Sequence, residues 1–165
     1  MEAPFEVERD DAPHAVIKVI GVGGGGTNAV DSMIKAGLDN VDYWVVNTDA
    51  QALSRSLCSN RIQIGKEITN GLGSGGDPAV GERSAESAKE DLKESIDGAD
   101  MVFLTAGLGG GTGTGAAPII AQIAKEMNTL CVAIMTKPFR FEGPQRMRKA
   151  MQGIERLREY VDTMI

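Results

Sequence analysis

The 165-residue chain is poor in aromatic residues, cysteine and positive charge, and each shortage excludes a class of protein. Aromatic residues make up 4% of the sequence, so aliphatic side chains must fill the core. Two cysteines are too few for a disulfide-built secreted scaffold and fit a reducing cytoplasm. A net charge of −6 disfavours a nucleic-acid-binding protein, which would present a basic face. The negative charge does not exclude a nucleotide as ligand, because backbone N–H groups bind phosphate without a net positive charge.

Long apolar runs are also lacking. None is long enough to cross a membrane, and the acidic N-terminus has no apolar core of the kind that signal peptides contain. We therefore expect a cytoplasmic protein without direct membrane insertion. Acidic residues and two prolines mark residues 1–14 as a flexible acidic tail. A single domain is expected at residues 15–165, which is enough chain for a substantial core.

Four apolar runs with little polar alternation indicate strands that are buried on both faces of a sheet. Segments with apolar residues at helical spacing lie between them. Strands that alternate with helices predict an α/β fold: a Rossmann-like, mostly parallel open sheet with helices on both faces. Such sheets bind ligands at the carboxyl ends of their strands. The predicted strands are 16–20, 43–46, 101–105 and 130–135, with a short one at 62–64 and a further one at 160–165, and the predicted helices are 27–36, 80–96, 116–127 and 144–161.

The first glycine cluster, at residues 21–28, follows the first predicted strand and precedes a helix. Gly21, Gly23 and Gly26 have the spacing of a dinucleotide-binding fingerprint. In that motif glycine lets the backbone approach a phosphate, and the helix N-terminus donates free N–H groups. The spacing is shared by all nicotinamide and flavin domains of this type. A nicotinamide-dependent oxidoreductase therefore stays open as an alternative, with Asp49 as the candidate acid for the ribose.

A second cluster at residues 109–115 holds five glycines and two threonines between a predicted strand and a predicted helix. Two strand–loop–helix units can direct two helix N-termini at one polyphosphate. The sequence has no G-x-x-x-x-G-K-[ST] motif, which excludes a P-loop protein. A dehydrogenase needs no second glycine loop, so the cluster favours another class of nucleotide-binding protein. A third glycine-rich stretch, at 71–81, is predicted to be a mobile loop.

These segments resemble the tubulin/FtsZ superfamily, and within it the bacterial cell-division GTPases. Residues 109–115 match the signature of the superfamily, and the resemblance extends from about Ile17 to Ile165. Several independent matches in the same order are more specific than any one motif. The other matching segments are 17–26, 46–53, 62–65, 98–103, 136–139 and 141–143.

The resemblance implies a domain that binds GTP and GDP. Mg²⁺ would be held through the phosphates and water, without a dedicated set of protein ligands. Glu142 would bind the ribose hydroxyls, and Arg146, four residues later, would share a helix face with it. Asn47 and Asp49 would lie at the pocket wall near the nucleotide and its Mg²⁺.

The same resemblance assigns the phosphates to the glycine clusters. The second cluster would contact the β- and γ-phosphates, and the first would line the track from base to phosphates. The stretch at 71–81 would sense the γ-phosphate. The candidate residues are Gly23, Gly24, Gly25, Gly26, Thr27 and Asn28 in the first cluster, Gly109, Gly110, Gly111, Thr112, Gly113 and Thr114 in the second, and Gly75 and Gly76 in the third.

The resemblance also implies a polymer. Subunits of the superfamily assemble head to tail, and an acidic loop of the next subunit positions the attacking water. The resemblance stops before the superfamily's central helix, which contacts the guanine, and before its C-terminal domain. We therefore expect no catalytic residue in this fragment and very slow hydrolysis by it alone. The expected partners are further copies of the protein and the division proteins of the Z ring at the septum. A non-catalytic filament-capping or interaction module is the second alternative.

Overall fold

Strands and helices alternate along the chain as the apolar periodicity predicts. The computed structural model describes residues 14–165, so residues 1–13 of the predicted tail lie outside the described part. The predicted strand at 160–165 is present as two residues, and the helix before it ends at Arg158 instead of residue 161. The strands are β1 Ile17–Val22, β2 Asp42–Asn47, β3 Asn60–Gln63, β4 Met101–Gly107, β5 Leu130–Thr136 and β6 Thr163–Met164, and the helices are α1 Gly23–Lys35, α2 Ala50–Arg55, α3 Lys66–Thr69, α4 Pro78–Glu86, α5 Lys89–Ile96, α6 Thr112–Glu126 and α7 Pro144–Arg158, with a short 3₁₀ helix at Arg140–Glu142.

The six strands form one sheet in the order β3-β2-β1-β4-β5-β6, and each neighbouring pair is parallel. The chain runs outward from β1 to β2 and β3. It then returns to the other side of β1, forms β4, and continues outward to β5 and β6. The direction of winding therefore reverses between β1 and β4, which leaves a crevice at the carboxyl ends of these two strands. The predicted fold class is confirmed.

Helices cover both faces of the sheet. Successive strand residues point to opposite faces, so neighbouring apolar residues of one strand belong to different clusters. Ile20 of β1 belongs to the larger apolar cluster, to which α4, α5, α6 and α7 also contribute. Its neighbour Val19 belongs to a second cluster with Val30 of α1 and Leu53 of α2. Each fully buried valine, leucine or isoleucine side chain contributes roughly 1.5–3 kcal/mol to stability. Within residues 14–165 no helix has both the length and the apolar character that a membrane crossing requires.

Strand β5 is buried on one face only. Cys131 and Ala133 are fully buried, whereas Leu130 and Ile134 on the other face are 43% and 37% exposed. The prediction that this apolar run is buried on both faces is therefore wrong for one face. The physical reason is that α1, the helix on that side of the sheet, packs against β1, β2 and β4 and leaves this face of β5 open.

The helices after the two main glycine clusters begin earlier than predicted, α1 at Gly23 and α6 at Thr112. Glycine is a poor helix former, so periodicity alone placed it in loops. Close packing explains its presence in these first turns. A Cβ at Gly26 would lie 2.5 Å from the carbonyl oxygen of Thr105, so glycine is needed there for contact and not for flexibility.

The segment at 80–96, predicted as one helix, belongs to two, α4 and α5. Ala88 between them has φ −116° and ψ 23°, outside the helical region. The Ser87 hydroxyl donates to the Ser84 carbonyl at 2.8 Å, and such side-chain bonds compete with the bonds of the helix itself. The prediction of a single helix is therefore wrong, because the helix is interrupted at Ser87 and Ala88.

Two short helices, α2 and α3, were not predicted, because four to six residues are too few for helical periodicity. Asp49 is the N-cap of α2, and its carboxylate accepts bonds from the N–H groups of Gln51 and Ala52 at 2.9 and 3.0 Å. Asp77 likewise caps α4, which begins at Pro78 inside the stretch predicted as a loop. The two capping aspartates were the sequence signal available for the starts of α2 and α4.

Both cysteine thiols are buried and free. Burial, followed by the charge of Asp162, raises the pKa of Cys131 to about 12. Burial also raises the pKa of Cys58 above its ordinary value. Since the thiolate is the reactive form, neither thiol is suited to nucleophilic chemistry.

We expect the folded chain at pH 8 to leave both thiols unmodified by an alkylating reagent, and the denatured chain to react at both. The unfolded chain loses the Cys131 proton near a pH of about 8.5, whereas the folded chain keeps it to about pH 12. Stability should therefore fall as pH rises above about 9. Mass spectrometry after alkylation and urea unfolding at several pH values measure both effects. Rapid modification of Cys131 in the native chain would contradict its burial.

Candidate functional site

A cavity of about 680 Å³ lies at the carboxyl ends of four neighbouring strands, at the point where the winding reverses. The segments that follow β1, β2, β4 and β5 all contribute to its lining. The glycine loop, defined here as residues 71–77, and the start of α7 close its sides. The lining residues are Gly24 and Gly25 after β1, Asn47 at the end of β2 with Thr48, Asp49 and Ala52 after it, Gly107 at the end of β4 with Leu108, Gly110, Gly111, Thr112 and Gly113 after it, Thr136 at the end of β5 with Lys137, Pro138, Phe139 and Glu142 after it, Gly73, Ser74 and Gly76 of the glycine loop, and Arg146 of α7.

A depression of about 770 Å³ lies at the opposite edge of the sheet, where β1 and β2 begin. Residues 14–17 and 40–42 line it, so it contains none of the glycine clusters. It also borders the part of the chain that the structure does not describe. The cavity at the carboxyl ends is therefore the candidate site.

The N-termini of α1 and α6 meet at this cavity. A Cβ at Gly23 would lie 3.0 Å from the backbone nitrogen of Gly113, and one at Gly25 would lie 3.0 Å from that of Gly107. A side chain at Gly23 would push the start of α1 away from the start of α6, and a side chain at Gly25 would push it away from the end of β4. Glycine is thus required because two backbones approach each other closely.

Side chains cap the neighbouring helices but not these two. Asp49 and Asp77 accept hydrogen bonds at the starts of α2 and α4, whereas Val22 and Gly111, the N-caps of α1 and α6, make no side-chain cap bond. The first N–H groups of α1 and α6 are therefore left for a ligand or water. Both helix dipoles also present their positive ends to one cavity, an arrangement suited to a polyanion.

Three hydroxyl groups connect the walls of the cavity. The Oγ1 atoms of Thr48 and Thr112 lie 2.7 Å apart, and the Thr112 hydroxyl donates to Ser74 Oγ at 3.1 Å. This chain joins the end of β2, the N-terminus of α6 and the glycine loop. Sequence reasoning selected Thr112 but missed Thr48 and Ser74, because residues far apart in sequence reveal no contact by their spacing.

Charged side chains of both signs line the cavity. Asp49 and Glu142 are the carboxylates, and Lys137 and Arg146 are the cations. Glu142 Oε2 accepts a hydrogen bond from the Phe139 N–H at 3.1 Å, which orients that carboxylate. The two cations offset the negative charge of the two acids, so a polyanion can enter without net repulsion.

The predicted placement of Glu142 and Arg146 on one helix face is wrong. Glu142 ends the 3₁₀ helix, Arg146 lies in α7, and Gly143 with φ 98° turns the chain between them. The (i, i+4) relation holds only within one helix, and Gly143 and Pro144 mark a break between these two residues. Both residues nevertheless line the same cavity.

The predicted site residues fall into two groups. Those that line the cavity are Gly24, Gly25, Asn47, Asp49, Gly76, Gly110, Gly111, Thr112, Gly113, Glu142 and Arg146. Those that lie outside the lining are Gly23, Gly26, Thr27, Asn28, Gly75, Gly109 and Thr114.

Several residues of the second group support the lining from behind. The buried Thr27 hydroxyl donates to the Gly23 carbonyl at 2.7 Å and closes the first turn of α1. The buried Thr114 hydroxyl accepts a bond from the Gly109 N–H at 2.8 Å and fixes the turn before α6. Asn28 is exposed on α1.

Sequence reasoning missed a third set of lining residues, notably Lys137, Pro138 and Phe139. They follow β5, and the rule that ligands bind at the carboxyl ends of parallel strands would have included them. The segment after β5 contains no glycine before Gly143, so it has no glycine cluster to mark it as a phosphate-binding segment.

The sequence model of the tubulin/FtsZ family, GTPase domain, matches residues 16–165. The cell division protein FtsZ of Buchnera aphidicola is 57% identical over 152 residues, which cover 92% of this chain and 40% of that protein. The FtsZ of Coxiella burnetii is 54% identical over 161 residues, covering 98% of this chain and 42% of that protein. The chain thus spans about two fifths of the length of these curated relatives.

Solved structures match the fold closely. An FtsZ dimer of M. jannaschii superposes with a TM-score of 0.91 at 45% identity, covering 93% of this chain and 45% of that one. CetZ2 from Haloferax volcanii, a protofilament with GTPγS bound, superposes with a TM-score of 0.82 at 27% identity. That match covers 90% of this chain and 48% of CetZ2.

Proposed function

Because the chain belongs to the tubulin/FtsZ family and matches its GTPase domain, we propose that it binds GTP and GDP in the cavity at the carboxyl ends of β1, β2, β4 and β5. One observation carries the proposal. Two helix N-termini without side-chain caps converge on the cavity and leave N–H groups for a polyphosphate. A single such terminus is common, whereas two in contact indicate several phosphates.

We propose the following orientation of the nucleotide. The phosphates lie against Gly24, Gly25 and residues 110–113, where the two helices begin. The ribose lies toward Glu142, whose carboxylate is held by the Phe139 N–H and can accept bonds from hydroxyl groups. Arg146 lies beside Gly110, whose Cβ position is 3.8 Å from its guanidinium. It therefore supplies positive charge next to the phosphates.

The residues of the cavity fit Mg²⁺ as an ion shared with the nucleotide. Within residues 14–165 there is no group of three or more His, Cys, Asp or Glu side chains that could hold a metal alone. Mg²⁺ commonly binds through one or two carboxylates, water and substrate phosphates. Asp49 is the carboxylate we propose for this role. The ion would neutralise charge on the phosphates.

We propose that the whole protein hydrolyses GTP and that this chain alone does so very slowly. The carboxylates of the cavity are Asp49, which we assign to Mg²⁺, and Glu142, which we assign to the ribose. Neither is then available to position an attacking water. A group from outside the chain must complete the site.

A second copy of the protein is the source we propose for that group. An FtsZ of M. jannaschii is described as a dimer and CetZ2 as a protofilament, and both share this fold. A head-to-tail contact of identical subunits continues as an open filament. We propose that the whole protein forms such a filament in the cytoplasm, at the division septum, together with the division proteins of the Z ring.

Calorimetric titration of the 165-residue chain with GTP, GDP and NAD⁺ tests the proposed ligand. We expect GTP and GDP to bind at least tenfold more tightly than NAD⁺, a difference of about 1.4 kcal/mol or more. Preferential binding of NAD⁺ would overturn the proposal in favour of an oxidoreductase domain. Failure of all three to bind would overturn it for this chain.

A further inference from the structure

We propose that Lys149 is a positioning residue that holds the glycine loop at the cavity. Its ammonium group donates a hydrogen bond to the Gly76 carbonyl at 2.7 Å, and Gly76 itself lines the cavity. Lys149 is outside the lining, so it would act on a ligand through the loop. The inference rests on the proposed function, because it concerns the same nucleotide site.

The glycine loop has little intrinsic order. Gly71, Gly73, Gly75 and Gly76 all have positive φ values, between 61° and 89°, which are strained for residues with a side chain. A Cβ at Gly75 or Gly76 would meet nothing within 4 Å, so packing does not hold this part of the loop. Glycine loses more backbone freedom on ordering than any other residue. The loop therefore needs specific contacts to stay in one place.

Contacts from other elements hold the loop at separate points. The Gly71 carbonyl accepts a hydrogen bond from the Ala50 N–H at 3.0 Å, and Ser74 Oγ accepts one from the Thr112 hydroxyl. Lys149 holds Gly76, in the open part of the loop. The contact from α7 thus completes a set that spans the loop from its start almost to its end.

Helix α7 is itself fixed firmly enough to serve as an anchor. Two turns after Lys149, Arg156 donates two bonds to the Glu82 carboxylate of α4, at 2.8 and 2.7 Å. The carboxylate raises the pKa of Arg156, as expected for a two-bond pair. Gly153 packs against Thr114 of α6, where a Cβ would lie 2.9 Å from the threonine methyl group. Lys149 therefore extends from a rigid helix to a flexible loop.

Amide hydrogen exchange on the nucleotide-free chain tests the contact with a Lys149→Met variant. The matched control is Arg148→Met, which removes one positive charge from the adjacent exposed position of α7. We expect Lys149→Met to speed exchange about three- to fivefold at the amides of Leu72 and Asp77 only, the two N–H groups of residues 72–77 that donate to a backbone carbonyl, since an exposed charged contact contributes modestly. Arg148→Met should leave these amides unchanged, and Lys149→Arg should restore the wild-type rate. Unchanged exchange in Lys149→Met, or a uniform increase over the whole chain, would overturn the inference.

Titration of the same variants with GTP tests whether the contact positions the site. We expect Lys149→Met to weaken GTP binding about three- to fivefold at an unchanged melting temperature, with Arg148→Met near wild type. Faster exchange with unchanged GTP affinity would overturn the positioning role. Absence of GTP binding by the wild-type chain would instead overturn the proposed function, while the exchange result would still decide the loop contact.

Discussion

Replacing Gly24 with leucine is expected to abolish nucleotide binding while the chain keeps its fold. Gly24 lines the cavity, and a Cβ there would meet nothing within 4 Å. Its φ value is not among the positive ones, and leucine is a better helix former than glycine. The added side chain would fill the space assigned to the phosphates. We expect GTP affinity to fall at least about 100-fold, or about 2.8 kcal/mol.

Calorimetric titration and thermal unfolding of the variant separate binding from folding. The melting temperature should stay within about 2 °C of wild type, because no buried contact is lost. Ser32→Leu is the matched control, since it adds the same side chain at an exposed position of α1 outside the cavity lining. Wild-type GTP affinity in the Gly24 variant would mean that the phosphates bind elsewhere.

Replacing Gly115 with alanine is expected to have the opposite outcome and damage the fold itself. A Cβ at Gly115 would overlap the carbonyl oxygen of Pro78 and lie 2.7 Å from the backbone nitrogen of Glu82. Both obstacles are backbone atoms, so no side-chain rotation relieves them and α6 must move away from α4. Overpacking costs typically 1–3 kcal/mol, and more against rigid neighbours. The gain in helix propensity is at most about 1 kcal/mol.

The net loss for Gly115→Ala should therefore be about 1–2 kcal/mol in the free energy of unfolding, measured with urea. Gly24→Ala is the control, because it makes the same chemical change in a helical first turn with open space around it. That variant should be neutral or slightly stabilised. Equal stability of the two alanine variants would mean that α4 and α6 do not pack closely at Gly115.

The contrast between these two glycines shows where sequence reasoning stops. Composition and spacing indicate that a glycine cluster lies between a strand and a helix, and the rule for parallel sheets places it at the ligand edge. Gly24 lines the cavity, whereas Gly115 is buried between two helices. Both are glycines of a cluster, so the sequence does not distinguish their roles. Only the positions of neighbouring backbones distinguish a ligand contact from a packing contact.

The strands were predictable because parallel strands buried on both faces are continuous apolar runs, as in β1 and β4. The exposed face of β5 was not, since Leu130 and Ile134 have the same local pattern as buried residues. Long-range polar contacts were equally hidden. The bond of Thr112 to Ser74 joins residues 38 positions apart, and that of Lys149 to Gly76 joins residues 73 apart.

The most direct test of the proposed GTP site is the nucleotide content of the chain as purified from cells, without added ligand. The protein is denatured, and the released small molecules are separated by chromatography and identified by mass. We predict guanine nucleotide in the wild-type chain and none in Gly24→Leu. Release of a nicotinamide or flavin dinucleotide from the wild-type chain would contradict the assignment of the cavity to GTP and GDP, as would equal guanine nucleotide in both chains.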